Sequence, residues 1–570
     1  MLVNRRRWLG GMAGVAGAAA VSAFAAVPTA TMIVAADATL AFRAVLAALG
    51  DFAAADLVAH GFPGMTIAVR AADGQTATLA LGQADLATRT PVRADHLFQI
   101  GSISKSLVAL ALYTLAGQGR LGLAAPVAAV VPEVWLEDRA VTIAQLLAHS
   151  AGLPDNSPMF PPVPGGKLWS ATPPGSHFSY SNAGYDLLAL VVERVTGMRY
   201  DRALTALVLE PLGMRSAVPV IRTADRGRFA AGYVPFDGDV AWFPHAPLAP
   251  GVWLDIDRAA GSVAATAVDM VRYLGFVAGL AQGRGAPLFS AALAQAFATP
   301  VIDSAEFGKG ARYGAGLATV DIDGTPAFHH TGGMLVFSSA FHVDRATGAG
   351  VFASVNIGET GYRPRQVTAY GVRLLRALAA GTAAPSSPAI VGVPAIDHAA
   401  DFAGRFVGPG GGAIVIAVAG NGLSLTGAGR HGRLKASGDA GSTSGGASFA
   451  SEAHRDSLAF VGDDGRRDRV WFGDALYGRD AAVAQPVADR ALVALAGVYR
   501  SNDPWVGSAS IVARGDTLVV EGGGPLRRVA DGSWRFADAA STERVWFECP
   551  VAGRPQRLNV SGSTMLRFAG

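Results

Sequence analysis

The chain has 570 residues, of which 51% are hydrophobic, and it carries a formal net charge of +3 at pH 7. This length predicts several domains, and the apolar content excludes a disordered chain. The single cysteine, Cys549, excludes an intrachain disulfide framework and a zinc site built on cysteines. Residues 1–36 contain three arginines and no acidic residue, so the rest of the chain is formally neutral and no nucleic-acid partner is expected.

The first 36 residues have the layout of an export signal. The basic stretch Asn4–Arg7 is followed by an uncharged run of small and apolar residues to Ala26. Adjacent arginines before two apolar residues resemble the twin-arginine signal. We therefore predict an exported protein of the bacterial periplasm or exterior, which contacts a membrane only through this signal if it stays uncleaved. The candidate cleavage sites are Ala23-Phe24-Ala25 and Val34-Ala35-Ala36.

Helical and strand patterns then follow in an order typical of an α+β domain. The spacing of apolar residues predicts a helix over 38–59, strands over Met65–Arg70 and Gln75–Leu81, mostly helices from 102 to about 300, strands within 312–357 and a helix over 364–380. Strands at both ends of a domain with helices between them predict one sheet assembled from distant segments.

Beyond a linker, the pattern changes to short strands. Ala379–Val393 is rich in Ala, Ser and Pro. Phe402–Phe406 is echoed 93 residues later by Leu495–Tyr499, and each copy precedes two strand-like runs. This repeat predicts two all-β units of barrel type. The predicted segments are the signal (1–36), a large α+β domain (37–382), a linker (383–396), a first β unit (397–484) and a second β unit (485–570).

A serine and a lysine lie one helical turn apart at the start of the first predicted helix after residue 100. Ser102 would have the amides of the first turn around it, and Lys105 would lie on the same face. A serine nucleophile needs such a partner base. Only four of the 47 basic residues are lysines, and lysine, unlike arginine, can lose its proton when desolvated. The alternative is a capping serine followed by an exposed lysine.

Two further motifs follow in chain order. Tyr180-Ser181-Asn182 precedes a helical run; a phenol beside a lysine can have a lowered pKa and act as a base, and a carboxamide can orient a substrate amide. The alternative is an ordinary helix start with a Ser or Asn cap. The strand Ala327–His330 leads into Thr331-Gly332-Gly333, where small residues would let a substrate backbone pair with an edge strand. The alternative there is a Gly-rich strand end.

In this order, Ser-x-x-Lys, Tyr-x-Asn and His-Thr-Gly resemble the serine β-lactamase and penicillin-binding-protein superfamily. The tyrosine of the second motif resembles the class C branch and its D-stereospecific peptidases and esterases. Phe98–Gly101 and Leu146–Pro154 support the resemblance, which covers about residues 38–382. It implies an antiparallel sheet flanked by helices with a helical subdomain, and no metal or other cofactor.

The resemblance also implies roles for individual residues. Ser102 would be the acylated nucleophile, Lys105 its proton acceptor and Tyr180 the general base for acylation and for the hydrolytic water. Asn182 would bind the substrate amide. Substrate would lie along His330, Thr331 and Gly332, and the oxyanion hole would be the backbone N–H groups of Ser102 and Gly333.

His330 departs from the pattern of many β-lactamases and carboxypeptidases, which carry a lysine there for the substrate carboxylate. A histidine that is neutral at pH 7 weakens carboxylate recognition. Within the superfamily, a histidine at this position resembles the esterase-like and aminopeptidase-like members. The implied function is an exported serine hydrolase acting on an ester, a D-amino-acid amide or a β-lactam. The alternative is a penicillin- or peptidoglycan-binding protein without turnover, whose β units bind a partner. The substrate would be a small molecule or derived from peptidoglycan, and the sequence does not give the oligomeric state.

Two other features allow more than one interpretation. The aromatic stretch Tyr233–Trp253 either lines a substrate pocket or packs on the helical part. His149 is a lone histidine near a loop start, which favours a structural role.

Overall fold

The computed structural model describes residues 28–163, 165–427, 429–437, 447–461, 467–538 and 541–568, and the chain groups into two compact units. One unit, which we call the catalytic unit, extends to Pro235 and continues over Pro247–Ile390. The other, the barrel unit, contains Phe236–Ala246 and the chain from Val391 onwards. Most of the predicted export signal, residues 1–27, lies outside the described residues.

A large antiparallel sheet runs through the catalytic unit. The strands of this unit are β1 (Thr31–Val34), β2 (Gly64–Arg70), β3 (Thr76–Asp85), β4 (Thr90–Pro91), β5 (Phe98–Gln99), β6 (Tyr233–Pro235), β7 (Leu248–Pro250), β8 (Ala264–Ala265), β9 (Ile302–Asp303), β10 (Arg312–Tyr313), β11 (Ala318–Ile322), β12 (Thr325–Gly333), β13 (Ser338–Asp344) and β14 (Gly350–Val355). The strand order of the large sheet is β1-β3-β2-β14-β13-β12-β11-β10-β9, with β4 paired to β3; β5 pairs with β8, and β6 with β7.

The sheet joins the two ends of the domain, as predicted. β2 pairs with β14 in a register that places Met65 opposite Val355 and Arg70 opposite Gly350. This pairing joins segments almost 300 residues apart in sequence, so the α+β fold class predicted from the strand pattern is confirmed.

Helices cover both faces of this sheet. Their bounds are α1 (Leu40–His60), α2 (Ser104–Gly117), α3 (Val127–Val130), α4 (Ile143–Leu147), α5 (Asn182–Thr196), α6 (Tyr200–Leu204), α7 (Ala267–Ala281), α8 (Ala291–Ala298) and α9 (Arg365–Ala380). On β14, Gly350 lies against Leu274 of α7, whereas its neighbour Val351 lies against Gly371 of α9. Because successive residues of a strand point to opposite faces, α7 and α9 cover opposite faces. α1 packs beside α9.

A helical subdomain lies between the two sets of strands. α2 is buried over most of its length and packs with α5, α6 and α8 in one hydrophobic core. Between α4 and α5, the described residues contain no helix or strand, in agreement with the long Pro-rich loop of the sequence. No helix in the described part of the chain is long and apolar enough to span a bilayer.

Two closed eight-stranded barrels form the C-terminal part of the chain, which confirms the predicted β units of barrel type. The first contains β15 (Gly404–Val407), β16 (Ala413–Ala419), β17 (Gly422–Gly427), β18 (Arg430–Ala436), β19 (Ser448–Ser451), β20 (Leu458–Phe460), β21 (Arg469–Phe472) and β22 (Ala475–Arg479), after α10 (Ala399–Phe402). The second contains β23 (Gly497–Arg500), β24 (Ser508–Arg514), β25 (Thr517–Val520), β26 (Gly524–Arg528), β27 (Trp534–Phe536), β28 (Arg544–Val551), β29 (Arg554–Val560) and β30 (Ser563–Phe568), after α11 (Arg490–Leu495).

An arginine on the last strand closes each barrel in the same way. Arg479 Nη1 donates to the carbonyl of Ala403 at 2.6 Å, and its guanidinium lies 4.8 Å from the Phe406 ring centroid. The equivalent Arg567 Nη1 donates to the carbonyl of Ala496 at 2.8 Å and lies 5.1 Å from the Tyr499 ring centroid. Both carbonyl and ring positions repeat at the 93-residue offset seen in the sequence. The weak sequence repeat therefore marks the closing contact of each barrel.

The aromatic stretch near residue 240 belongs in part to the barrel unit. Trp242 and Phe243 are buried, and the Arg433 guanidinium lies 4.5 Å from the Phe243 ring centroid. Lys435 Nζ donates to the carbonyl of Trp242 at 3.1 Å. Phe236–Ala246 thus packs on the first barrel, and for these residues neither interpretation drawn from the sequence is right.

Candidate active site

Ser102 lies at the start of the central helix of the helical subdomain. A 3₁₀ turn over Gly101–Ile103 runs directly into α2, so the serine is in the first turn of a continuous helical segment. Amides of such a first turn have no acceptor within the helix. Ser102 is partly exposed, whereas Lys105, one turn later, is completely buried. The helix therefore presents the serine hydroxyl to the outside and holds the lysine beneath it.

Three oxygen atoms hold the Lys105 amine. Its Nζ donates to Ser102 Oγ at 3.0 Å, to Asn182 Oδ1 at 2.5 Å and to the carbonyl of Ala260 at 2.7 Å. Burial lowers the pKa of Lys105 to about 7, and the negative charges of Asp155 and Asp186 oppose this shift. Near pH 7 a large fraction of this amine is therefore neutral and can accept a proton from the serine hydroxyl.

Asn182 links the second motif to Lys105 through its side-chain oxygen. Ser181, the N-cap of α5, accepts from the amide of Gly184 at 3.0 Å and fixes the start of the helix. The carboxamide nitrogen of Asn182 donates to Asp155 Oδ1 at 2.9 Å and to Asn156 Oδ1 at 3.0 Å. Both ends of this carboxamide are thus engaged by the protein itself.

Tyr180 lies against both catalytic candidates. Its phenol is hydrogen-bonded to Ser102, and Lys105 Nζ lies 4.8 Å from its ring centroid. Burial raises the pKa of Tyr180 and outweighs the hydrogen bond to Ser102. The expectation that a neighbouring lysine lowers this pKa is therefore wrong. The phenol is neutral at physiological pH and offers a hydroxyl that both donates and accepts.

His149 packs against the ring of Tyr180. The two ring centroids are 4.3 Å apart, and the Nδ1 atom of His149 accepts from the backbone amide of Ser181 at 3.0 Å. Burial lowers the pKa of His149 well below its usual range. A neutral, buried ring with these contacts agrees with the structural role expected from the sequence.

His330 is a neutral side chain directed into a cluster of aromatic residues. Its Nδ1 lies 2.7 Å from the carbonyl of Thr331, so this nitrogen carries the hydrogen, and Nε2 accepts from the hydroxyl of Tyr313 at 3.0 Å. Burial lowers the pKa of His330 to about 3, and the charge of Lys105 acts in the same direction. The third motif therefore provides no cation at this position.

The C-terminal end of β12 has a neighbouring strand on one side, whereas the rest of β12 lies between β11 and β13. β11 pairs with β12 only as far as His329, whereas β13 continues to pair through Thr331, Gly332 and Gly333. On the side away from β13, these residues lie against the turn that carries Ser102. The backbones approach so closely that there is no room for a side chain: a Cβ added to Gly101 would lie 2.7 Å from the Gly333 amide nitrogen, and a Cβ added to Gly332 would lie 1.9 Å from the carbonyl oxygen of Ile100. Glycine is required on both sides of this contact, which places the Gly333 amide against the turn that carries Ser102.

An arginine from a distant element lies at the same strand end. A Cβ on Gly333 would lie 2.0 Å from Nη2 of Arg363, just before α9. Arg363 Nη1 donates to the carbonyl of Tyr362 at 2.7 Å and to Ser338 Oγ at 3.3 Å. Burial lowers the pKa of Arg363 to about 10, so it remains a cation at neutral pH.

All eight predicted site residues come together around Ser102: Ser102, Lys105, Tyr180, Asn182, His330, Thr331, Gly332 and Gly333. Two residues at this site, Asp155 and Arg363, were not predicted from the sequence. Asp155 directly follows the Leu146–Pro154 string, which supported the family resemblance and could have drawn attention to it. Arg363 is one of 43 arginines, and no motif in the sequence distinguishes it. Among the described residues, no group of three or more His, Cys, Asp or Glu is placed to hold a metal ion.

Comparison with known proteins decides the family. The family model named Beta-lactamase matches residues 42–374. The chain belongs to this family. The match contains all three motifs, so the predicted family and its hydrolase class are confirmed.

Individual relatives match parts of this β-lactamase-family chain. Penicillin-binding protein 4 of Amycolatopsis lactamdurans is 31% identical over 297 residues, which are 48% of this chain and 75% of that protein. Esterase EstB of Burkholderia gladioli is 36% identical over 182 residues, 27% of this chain and 46% of the esterase. The octameric penicillin-binding protein homologue from Pyrococcus abyssi aligns with 75% of this chain and 98% of its own, at a TM-score of 0.54 and 22% identity. This last likeness shows the fold.

Proposed function

We propose that the protein is an exported serine hydrolase of the β-lactamase family that works through an acyl-enzyme on Ser102. The observation that carries the proposal is the contact of Lys105 Nζ with Ser102 Oγ at 3.0 Å, made by an amine whose pKa burial lowers to about 7. A serine becomes a useful nucleophile only when a neighbouring base takes its proton.

Acylation follows from this arrangement. Neutral Lys105 takes the proton of Ser102 Oγ while the oxygen attacks the substrate carbonyl, and the amides of Ser102 and Gly333 stabilise the oxyanion. The neutral Tyr180 hydroxyl gives its proton to the leaving alkoxide or amine and regains one from the Lys105 ammonium. The bond to the leaving group breaks, and an ester of Ser102 remains.

Deacylation uses the same groups in the reverse sense. Water attacks the acyl carbonyl, and its proton passes to Tyr180, whose own proton moves to Lys105. As the ester bond breaks, Ser102 Oγ recovers this proton from Lys105. The acid leaves and the free enzyme is restored without any net change in the side chains.

A panel of three substrates tests the proposal on the purified protein: p-nitrophenyl esters, D-alanyl p-nitroanilide and nitrocefin. We expect sustained hydrolysis of at least one of them after an initial burst. A labelled penicillin that acylates the protein once, without turnover of any member of the panel, would instead identify a penicillin-binding protein. Small molecules and fragments of peptidoglycan both fit a site of this family.

The Arg363 cation favours substrates that carry a free carboxylate next to the scissile bond. The neutral His330 alone argued against carboxylate recognition, but Nη2 of Arg363 lies against Gly333, beside the Ser102 turn. A guanidinium binds carboxylate groups in a planar, two-point manner. D-peptides with a free C-terminus and β-lactams carry this group, whereas simple esters do not.

Substitution of Arg363 should change kcat/KM differently for substrates with and without a free carboxylate. We expect Arg363→Ala to lower kcat/KM for nitrocefin by about 10- to 100-fold and to leave p-nitrophenyl acetate within about threefold, because a lost charge-assisted hydrogen bond costs about 1.5–3 kcal/mol. Arg363→Lys should recover part of the loss. Equal losses for both substrates would show that Arg363 only supports the fold of the strand end.

Export is part of the proposal, and the first strand of the sheet helps to choose between the two candidate cleavage sites of the signal. β1 (Thr31–Val34) pairs with β3 from Thr31 opposite Ala80 to Val34 opposite Ala77. Arg43 also donates to the carbonyls of Ala35 and Ala36, at 3.0 and 3.2 Å. Cleavage after Ala36 would remove a strand of the sheet, whereas cleavage after Ala25 would retain it. We therefore favour the earlier of the two candidate sites.

The N-terminus of the secreted protein tests this choice. Expression in a bacterium with a twin-arginine system should give a mature protein that begins at Ala26, read by N-terminal sequencing or intact mass. Export should stop when Arg5, Arg6 and Arg7 are replaced by lysine. A mature protein that begins at Asp37 would contradict the choice, and an unprocessed chain in the cytoplasm would contradict export.

A further inference from the structure

The loop residue Asp155 is fixed to the start of α5. The amide of Ala183 donates to the carbonyl of Asp155 at 2.9 Å, and Ser181 Oγ donates to the carbonyl of Pro154 at 2.7 Å. The amide of Asn182 donates to Asp155 Oδ1 at 3.1 Å. Backbone and side chain of this aspartate are thus both held against the Tyr-x-Asn motif, although 27 residues separate them in sequence.

The Asp155 carboxylate dictates the orientation of the Asn182 carboxamide. An ionised carboxylate only accepts hydrogen bonds, and Asp155 Oδ1 lies 2.9 Å from Asn182 Nδ2. The flipped carboxamide would place its oxygen against this carboxylate and its NH₂ group against the Lys105 amine. The observed orientation instead directs Oδ1 to Lys105 Nζ at 2.5 Å. A chain of contacts therefore leads from Asp155 through Asn182 to the amine.

Asp155 also contributes charge to the site. Burial raises the pKa of Asp155, and the Asn182 amide and the Lys105 charge oppose this rise. The negative charge of Asp155 raises the pKa of Lys105, and so does that of Asp186. Within the described part of the chain, the titratable and charged groups that face the Lys105 amine are Asp155, Asp186, Arg258, His149, His330, Tyr180 and Tyr185.

Asp186 acts through different contacts. Its Oδ2 accepts from Arg258 Nη2 at 2.7 Å, and its Oδ1 accepts from the amide of Ala260 at 3.2 Å. The charge of Asp186 is thus paired with an arginine, whereas Asp155 contacts the site through the Asn182 carboxamide, whose nitrogen donates to its Oδ1 at 2.9 Å.

We propose that Asp155 is a positioning residue for the Ser102–Lys105 pair, which holds the Asn182 oxygen on the Lys105 amine and keeps a negative charge beside it. The inference rests on the proposed function, because it concerns the proton that Lys105 takes from Ser102. It adds to the three motifs a fourth element, located in the loop between α4 and α5. Asp155 does not touch the reacting atoms and acts through Asn182.

Four variants of the full-length protein test this role. Asp155→Asn and Asp155→Ser remove the charge, Asp155→Glu retains it, and Asp323→Asn is the matched control. Asp323 is an exposed residue of the β11–β12 turn that pairs with Arg373, so the same chemical change occurs far from the site. The readouts are the pH dependence of kcat/KM for the best ester substrate, kcat and KM separately, and the melting temperature.

We expect the acidic limb of kcat/KM to move to lower pH by about one unit in Asp155→Asn, since loss of a nearby negative charge lowers the pKa of the amine. Asp155→Ser should show the same shift and, because the carboxamide is no longer oriented, a kcat lowered at least tenfold with KM within about threefold. Asp155→Glu should keep the limb near its original position, and Asp323→Asn should match the wild type.

Superimposable pH profiles of wild type and a folded charge-free variant would overturn the inference, even if the melting temperature fell. If Asp155→Asn does not fold, the folded Asp155→Ser protein decides in the same way, and failure of both to fold would assign Asp155 a purely structural role. These results differ from failure of the proposed function, in which Ser102→Ala would retain turnover whatever the Asp155 variants do.

Discussion

Ser102→Ala is expected to lose turnover of every substrate that the wild-type protein hydrolyses, by at least about 10⁴-fold in kcat. Replacement of a nucleophile in serine hydrolases leaves only binding and oxyanion stabilisation, and such losses reach about 10⁶-fold. The melting temperature should change little, because Ser102 is partly exposed and its side chain interacts with Lys105 and Tyr180. Kinetics on the substrate panel, together with a thermal melt, check both statements.

Ser387→Ala is the matched control for this loss. Ser387 is exposed in the predicted linker, and its hydroxyl contacts only the neighbouring carbonyl of Pro388 among the hydrogen bonds of the described residues. This control should retain full activity. Residual wild-type turnover in Ser102→Ala would assign the chemistry to another nucleophile and end the proposal.

The rate of acylation is expected to depend on pH through Lys105. Since burial lowers the pKa of Lys105 to about 7, kcat/KM should be level at higher pH and fall about tenfold per pH unit below 7, where the amine is protonated. The sign follows from the role: protonation removes the acceptor, so activity is lost on the acidic side. Tyr180 should contribute no limb near neutrality, because burial raises its pKa.

Lys105→Arg tests the same point without loss of positive charge. Arginine does not give up its proton, so we expect a loss of at least about 10³-fold that no rise in pH restores. Lys309→Arg, at an exposed lysine, is the control and should behave as the wild type. An unshifted acidic limb in a fully active Lys105→Arg protein would show that another group takes the serine proton.

The spacing of Ser102 and Lys105 made their contact predictable, because residues three apart in a helix lie on one face. The family pattern then placed Tyr180 and Asn182 beside them. The pKa of Tyr180 was not predictable in this way. The sequence indicates that a lysine is near, but the depth of burial, which outweighs the hydrogen bond and raises the pKa, depends on packing of the whole helical subdomain.

Contacts of irregular segments were beyond sequence reasoning for a similar reason. Asp155 lies in a loop without periodicity, so nothing in the sequence indicated which side chain its carboxylate would meet. The segment Phe236–Ala246 leaves the catalytic unit in the middle of an aromatic stretch, and burial of Trp242 and Phe243 against the first barrel produces the same apolar pattern as burial in a pocket. Periodicity predicts that a residue is buried but does not indicate which residues it packs against.

Peptide mass mapping of an acyl-enzyme can locate the acyl group that the proposed mechanism places on Ser102. The wild-type protein is mixed with excess labelled penicillin or an activated ester, stopped in acid during the burst, digested and sequenced by mass spectrometry. One acyl group per chain is expected, located on Ser102, and none in Ser102→Ala. An acyl group on any other residue, or turnover without any covalent intermediate in either protein, would rule out Ser102 as the nucleophile.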